Sequence, residues 1–293
     1  GGAAARRGIA GWCDYLGGRR NILFRAADTP RRPGMGRAMS LNLPPRTYTV
    51  AQASAKALSC RNIVCVRGGF RLEVESLEVT PGEKIALLGE NGCGKTTLLQ
   101  ALAGLQRCSG EMFLGETRWD KLNAAARAEL LAYLPQEAGV LFDLNVKEIL
   151  ELALENDADR LHGEKRQELL RSLELETFLH RRYQSLSGGE KRRAMLARVF
   201  CRARPFTFLD EPTAPLDLRH SAMFMRYLAG RTGAVLAALH DVNLAVRYFD
   251  RFLLMKNGRI LFYKTKDQLD ATLLESIYGI GLSRCGDIFV PER

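Results

Sequence analysis

Apolar positions change their spacing along the chain, and the changes mark out its elements. From Ile63 to Val79 they fall in short alternating runs, Ile63-Val64-Cys65-Val66 and then Leu72, Val74, Leu77 and Val79, before the turn pair Pro81-Gly82. Such alternation predicts β-strands. Lys84 to Gly89 is a short apolar run of the kind that makes a buried strand, and Thr96 to Leu105 carries helical spacing. Further strands are expected at Pro205 to Asp210 and Ala234 to His240. Between about Gln136 and Arg204, the stretches Val146 to Leu154, Gly163 to Leu175 and Glu190 to Phe200 show helical periodicity without a convincing strand. This order predicts an α/β fold with a largely parallel sheet, split by a helical insertion. No repeat with a period of roughly 20 to 50 residues is visible, which excludes a solenoid. No apolar run reaches the ~18 residues of a membrane-spanning helix.

Composition is ordinary for a folded protein, with 46% hydrophobic and 26% charged residues over 293 positions. The +10 net charge is unevenly placed, because residues 1–39 hold eight arginines against two acids, Asp14 and Asp28. Residues 1–57 therefore read as a basic extension, Gly/Arg/Pro-rich and disordered, with order expected from about Leu58. Three readings of the tail stay open: a basic arm touching membrane or RNA, a transit-like leader, or silent sequence ahead of a start near Met35 or Met39, the last being favoured. The nearly balanced remainder gives no reason to expect a nucleic-acid partner. Seven cysteines (Cys13, Cys60, Cys65, Cys93, Cys108, Cys201, Cys285) are odd in number, scattered and without a C-x-x-C pair. They argue against a disulfide framework or a structural zinc site and fit a reducing, cytosolic setting.

Gly89-Glu90-Asn91-Gly92-Cys93-Gly94-Lys95-Thr96 matches G-x-x-x-x-G-K-[ST] between a predicted strand and a predicted helix. The motif requires that context. Glycines let the backbone wrap an anion, successive N–H groups point inward, and the helix N-terminus adds about half a positive charge. Lys95 then neutralises the β- and γ-phosphates of a nucleotide, and the Thr96 hydroxyl takes Mg²⁺, with Thr97 completing the binding run. Phe206-Thr207-Phe208-Leu209-Asp210-Glu211 is an apolar strand ending in two carboxylates. Carboxyl ends of parallel strands face the ligand crevice, so Asp210 is expected to meet the metal and Glu211 to act on an attacking water. A helix-capping role for the two acids is the plainer alternative.

Ser187-Gly188-Gly189-Glu190 is an S-x-x-E capping box, which accounts for a helix start. It does not account for two glycines in the first turn, each disfavoured by about 1 kcal/mol. With Leu186 in front, the segment is LSGGE, and with the nucleotide cradle in the same chain the sequence resembles the ABC-transporter ATPases over roughly residues 58–293. The resemblance implies a P-loop NTPase core of the RecA-like kind. Its mainly parallel sheet carries an antiparallel β subdomain and an inserted α-helical subdomain, the core spanning 58–135 and 205–293 and the insertion 136–204. It implies ATP and Mg²⁺ as cofactors. It also implies a head-to-tail homodimer in which LSGGE of one copy covers the ATP held by the P-loop of the other.

Further motifs occur in family order. Gln136, in Tyr133-Leu134-Pro135-Gln136, matches the Q-loop that contacts Mg²⁺ and the attacking water. Asp217, in Ala214-Pro215-Leu216-Asp217, matches the D-loop, and His240 matches the switch histidine at the γ-phosphate. Three departures stand out. The position that stacks adenine is Arg67 or Phe70; the D-loop has Ala214-Pro215 where a small polar residue is common; and Cys93 lies in the cradle, where proximity to Lys95 is expected to stabilise its thiolate.

Segments such as Leu216-Asp217-Leu218-Arg219-His220 and Leu274-Glu275-Ser276-Ile277-Tyr278-Gly279 look like those of importer ATPases for iron-siderophore, haem and cobalamin. That likeness implies integral membrane permease subunits, an extracytoplasmic solute-binding protein, and a place at the cytoplasmic face of the cell membrane. Ala138 to Leu150 occupies the position that receives the permease. The alternatives are an ABC-type ATPase acting on ribosomes or DNA, and an exporter ATPase. Long coiled-coil insertions are excluded, because Lys95 and Asp210 are 115 positions apart.

Overall fold

The computed structural model describes residues 56–140, 143–153 and 163–292. The basic extension up to residue 55 lies outside the described residues. Strand β1 (Leu58–Arg67) turns at Arg67 and Phe70 into the antiparallel β2 (Phe70–Val79), and the alternation read from the sequence places Leu72, Val74, Leu77 and Val79 inside. β3 (Lys84–Leu88) is buried at every position and is followed by helix α1 (Lys95–Leu102). The helix stops before the expected Leu105, because Gly104 takes a φ of 71°. β4 (Ser109–Leu114) and β5 (Thr117–Arg118) extend the antiparallel part beyond β1.

Helix α2 (Ala124–Leu130) leads into β6 (Leu131–Leu134), and three helices follow: α3 (Val146–Leu152), α4 (Gly163–Ser172) and α5 (Gly188–Phe200). Leu154, the expected end of the first, lies outside the described residues. Among the described residues no strand lies between β6 and the next strand, only isolated bridge positions at Asn145, Arg182 and Arg202. The chain continues with β7 (Phe206–Asp210), α6 (Leu218–Ala229), β8 (Ala234–Ala238), α7 (Val242–Tyr248) and β9 (Arg251–Lys256). Then come β10 (Arg259–Thr265), α8 (Ala271–Tyr278) and a final hairpin of β11 (Leu282–Cys285) and β12 (Ile288–Pro291).

Ten strands form one sheet in the order β5-β4-β1-β2-β10-β9-β3-β8-β7-β6. β6, β7, β8, β3 and β9 run parallel, and the rest of the sheet is antiparallel except where β10 meets β2. The expected α/β fold, mainly parallel with an antiparallel part, is what the chain adopts. Alternate residues of β3 enter two different apolar clusters, Ala86 and Leu88 on one face and Ile85 and Leu87 on the other. A parallel sheet needs both faces covered in this way. Register pairs Leu87 and Asp210 with Ala238, so β3, β7 and β8 end along one edge. Among the described residues no helix is long and apolar enough to cross a membrane.

The cysteine reading needs one correction. Cys65 and Cys108 form a disulfide across 43 residues of sequence. Strand pairing sets Val64 opposite Ser109, which brings the next pair together, and scattered spacing carries no sign of that register. Cys60, Cys93 and Cys201 are free and buried, and Cys285 is free and exposed.

Candidate functional site: a phosphate cradle and its carboxylate edge

Between β3 and α1 the chain makes a loop whose glycines are demanded by backbone conformation and, at Gly89 and Gly94, by close neighbours. Gly89, Gly92 and Gly94 have φ of 155°, 79° and 109°. A Cβ on Gly89 would lie 2.4 Å from the Met255 carbonyl oxygen, and one on Gly94 would lie 2.7 Å from the Phe70 ring. Lys95 is buried and arches back over the loop, donating from Nζ to the carbonyls of Gly89 at 2.7 Å and Glu90 at 3.0 Å. The loop is also braced from β9–β10. The turn pair Asn257-Gly258 takes φ of 49° and 76°, and the Gly258 N–H donates to the Cys93 carbonyl at 2.9 Å.

Next to the loop is a cleft of about 380 Å³ whose walls include Arg67, Phe70, Asn91, Thr97, Gln136 and His240. Phe70 is held against Gly94 and Gly258, whereas Arg67 ends β1 on the surface. Asp210 is buried, and burial pushes its carboxyl up against the pull of the nearby Thr96 hydroxyl. Neither Asp210 oxygen makes a hydrogen bond of normal geometry among the described residues. A buried carboxylate with vacant lone pairs beside a threonine hydroxyl is a hard-oxygen donor set that fits Mg²⁺.

Glu211 follows with a φ of 48°, a left-handed conformation unusual for a glutamate. Its N–H donates to the Ala238 carbonyl at 3.2 Å. The side chain is engaged at both oxygens. Gln136 Nε2 donates to Oε2 at 3.1 Å, and His240 Nε2 lies 2.5 Å from Oε1. Three residues chosen from separate parts of the sequence thus meet around one carboxylate.

Arg192 is a site residue that sequence reasoning missed. Buried in α5, it donates to five carbonyl oxygens: Pro135 at 2.8 Å, Gln136 at 3.1 Å, Asp210 at 2.5 Å, Glu211 at 2.7 Å and Pro212 at 3.2 Å. It fixes the backbone of both the glutamine loop and the carboxylate pair. Burial pushes its pKa down to about 10, with Asp210 and Glu211 opposing. A signal existed, since Arg192 shares a helix face with the buried Met195 and Leu196.

The second glycine loop lies elsewhere. Ser187 caps α5 by accepting from the Glu190 N–H at 3.3 Å, and Glu190 accepts from the Ser187 N–H at 2.7 Å. That bond holds the Glu190 carboxyl below the usual carboxylate range. Ser187, Gly188, Gly189, Glu190 and Asp217 do not line the cleft beside Lys95. Asp217 instead caps α6, accepting from the His220 N–H at 2.8 Å.

The expectation for Cys93 is overturned. Its side chain is buried under Gly89, and burial raises the thiol pKa more than Lys95 and the loop N–H groups lower it. The thiolate is disfavoured.

The sequence profile of the ABC transporter family matches residues 72–214. A hemin import ATP-binding protein, HmuV, of Bordetella parapertussis is 36% identical over 80% of this chain and 97% of that protein. The HmuV of Pseudomonas aeruginosa is 37% identical over 76% and 92%. In structure, the chain resembles the ATP-binding cassette MJ0796, solved as a dimer in a post-hydrolysis state with ADP and phosphate. The TM-score is 0.62 at 23% identity over 71% of this chain and 98% of that one. The chain belongs to the ATP-binding proteins of ABC transporters and is an ATPase of that family.

Proposed function

We propose that the chain is the ATP-hydrolysing subunit of an importer for haem or a related metal chelate. The observation that carries the site reading is the convergence of Gln136 and His240 on Glu211, at the mouth of the Lys95 loop. The family's hemin import relatives support the cargo class. Residues 58–135 and 205–293 form the nucleotide-binding core, and 136–204 is the helical part that meets the permease.

In this reading Gly89 to Thr97 wrap the triphosphate with backbone N–H groups, and Lys95 leaves its own loop carbonyls for the β- and γ-phosphates. Thr96, Asp210 and Gln136 hold Mg²⁺, which when bound neutralises charge on the phosphate oxygens. Glu211 takes a proton from the attacking water, with His240 and Gln136 orienting its two oxygens. The Arg67 guanidinium is the platform for adenine, since the Phe70 ring is already committed to Gly94 and Gly258.

Ser187, Gly188 and Gly189, with Asp217, close on the nucleotide of a second copy. Two copies work on integral membrane permease subunits at the cytoplasmic face, fed by an extracytoplasmic solute-binding protein. The test is to isolate the complex intact from its own membrane, reconstitute it in vesicles, and measure ATP-driven uptake of hemin, ferric siderophore and cobalamin. Uptake of hemin with a co-purified polytopic permease is expected. Recovery on ribosomes or DNA without a permease, or outward pumping, would overturn the importer reading.

A further inference from the structure

Glu174 stands just past the end of α4, between the buried Leu173 and Leu175, with a φ of 47°. An L residue pays roughly 1 kcal/mol or more for that conformation, and glycine none. What the position has instead of a glycine is a carboxylate, and the carboxylate is fully used. Its Oε1 pairs with Arg219 Nη2, and its Oε2 lies 3.1 Å from His220 Nε2, 3.3 Å from Arg219 Nη1 and 3.7 Å from Arg193 Nη1.

These partners come from two different helices. Arg193 belongs to α5, the helix opened by Ser187 to Gly189, and also donates to the Leu173 carbonyl at 3.0 Å. Arg219 and His220 belong to the first turn of α6, which Asp217 caps. The other ring nitrogen of His220, Nδ1, lies 2.8 Å from both oxygens of Asp217. Direct packing continues the link, since a Cβ on Gly189 would lie 3.2 Å from the Pro215 carbonyl oxygen.

We propose that Glu174 is a positioning residue that joins the α5 and α6 N-termini through Arg193, Arg219 and His220. Ser187 and Asp217 then reach the second copy's nucleotide as one rigid unit. The proposal rests on the paired-copy reading above and goes beyond it, because it names what sets the two loops relative to each other. Glu174 touches no nucleotide. It acts through His220 on Asp217 and through Arg193 on α5.

The test compares steady-state ATPase kinetics of the full chain with E174G, H220A, the double variant and D217A. Glycine accepts the backbone conformation without strain. E174G is therefore expected to keep the parental melting temperature and a KM for ATP within about twofold, while kcat falls about tenfold. H220A should lose a similar factor, and the double variant should be no slower than either single, as for residues acting in one chain of contacts. In the E211Q background, E174G should weaken the ATP-induced dimer seen by sedimentation.

Parental kcat in E174G while D217A is impaired would overturn the proposal, as would losses that multiply in the double variant. A melting temperature that falls along with kcat would assign Glu174 to the fold instead. Parental kcat in D217A would remove the paired-copy reading itself, and this proposal with it.

Discussion

A Cβ on Gly89 or Gly94 of the phosphate loop would collide with Met255 or Phe70, whereas one on Gly188, in the first turn of α5, would meet nothing within 4 Å among the described residues beyond its chain neighbours and its own helix backbone. The first loop has its reasons inside the chain. Backbone conformation, a neighbouring strand and a packed ring all require glycine there. At Gly188 the fold requires nothing, and a helix-first-turn glycine still costs about 1 kcal/mol relative to alanine. A residue kept small with open space around it makes sense when something outside the monomer approaches it. The contrast separates a loop built to be complete from one built to be met.

The largest expected effect is at Glu211, the carboxylate beside the phosphate loop. E211Q is expected to lower kcat by about 10²- to 10⁴-fold while ATP still binds and the protein accumulates as a nucleotide-bound dimer. Sedimentation and phosphate release measure the two sides, and parental turnover would mean another base. K95A comes next, removing a charge-assisted contact worth roughly 1.5–3 kcal/mol and so weakening ATP binding about 10- to 100-fold by calorimetry. Unchanged affinity would show that Lys95 stays on its own carbonyls. The glycine pair itself then gives a smaller, more pointed effect. G94A should lower the melting temperature by several degrees, and G188A should raise it by about 2 °C yet slow turnover several-fold. Equal melting losses in both would abolish the distinction. Least of all in size, a thiol reagent at neutral pH should label exposed Cys285 well before Cys93. The Cys93 rate should keep climbing with pH beyond the range of an ordinary thiol, because burial raises its pKa. Rapid labelling of Cys93 at neutral pH would restore the reactive-thiolate expectation.

Much of this was readable in the sequence where the chemistry is local. The cradle lies in eight consecutive residues between a strand and a helix, and Asp210-Glu211 ends an apolar run, so each motif carries its own context. Gln136 and His240 were legible through resemblance, but their shared contact with Glu211 depends on strand register, which periodicity does not encode. Arg192 was missed for the same reason, since its five acceptors lie on two segments, 135–136 and 210–212, that meet only after folding. The Cys65–Cys108 pair was likewise hidden in the β1–β4 alignment. For Cys93, proximity to Lys95 was right and its sign wrong, because burial cannot be weighed before the packing of Gly89 is known. Helix α4 ends at Ser172 rather than at the expected Leu175, where Glu174 turns the backbone left-handed.

Strand β3 delivers the cradle, yet its two sheet neighbours are β8 and β9, both made from residues beyond 233. A nascent chain that has already displayed every letter of the phosphate motif therefore has no lateral partner for it until residues beyond 233 have been made. Any fragment stopping short of Ala234 would keep the motif and lose the scaffold, so competence to hold nucleotide is conferred by segments made long after the motif itself.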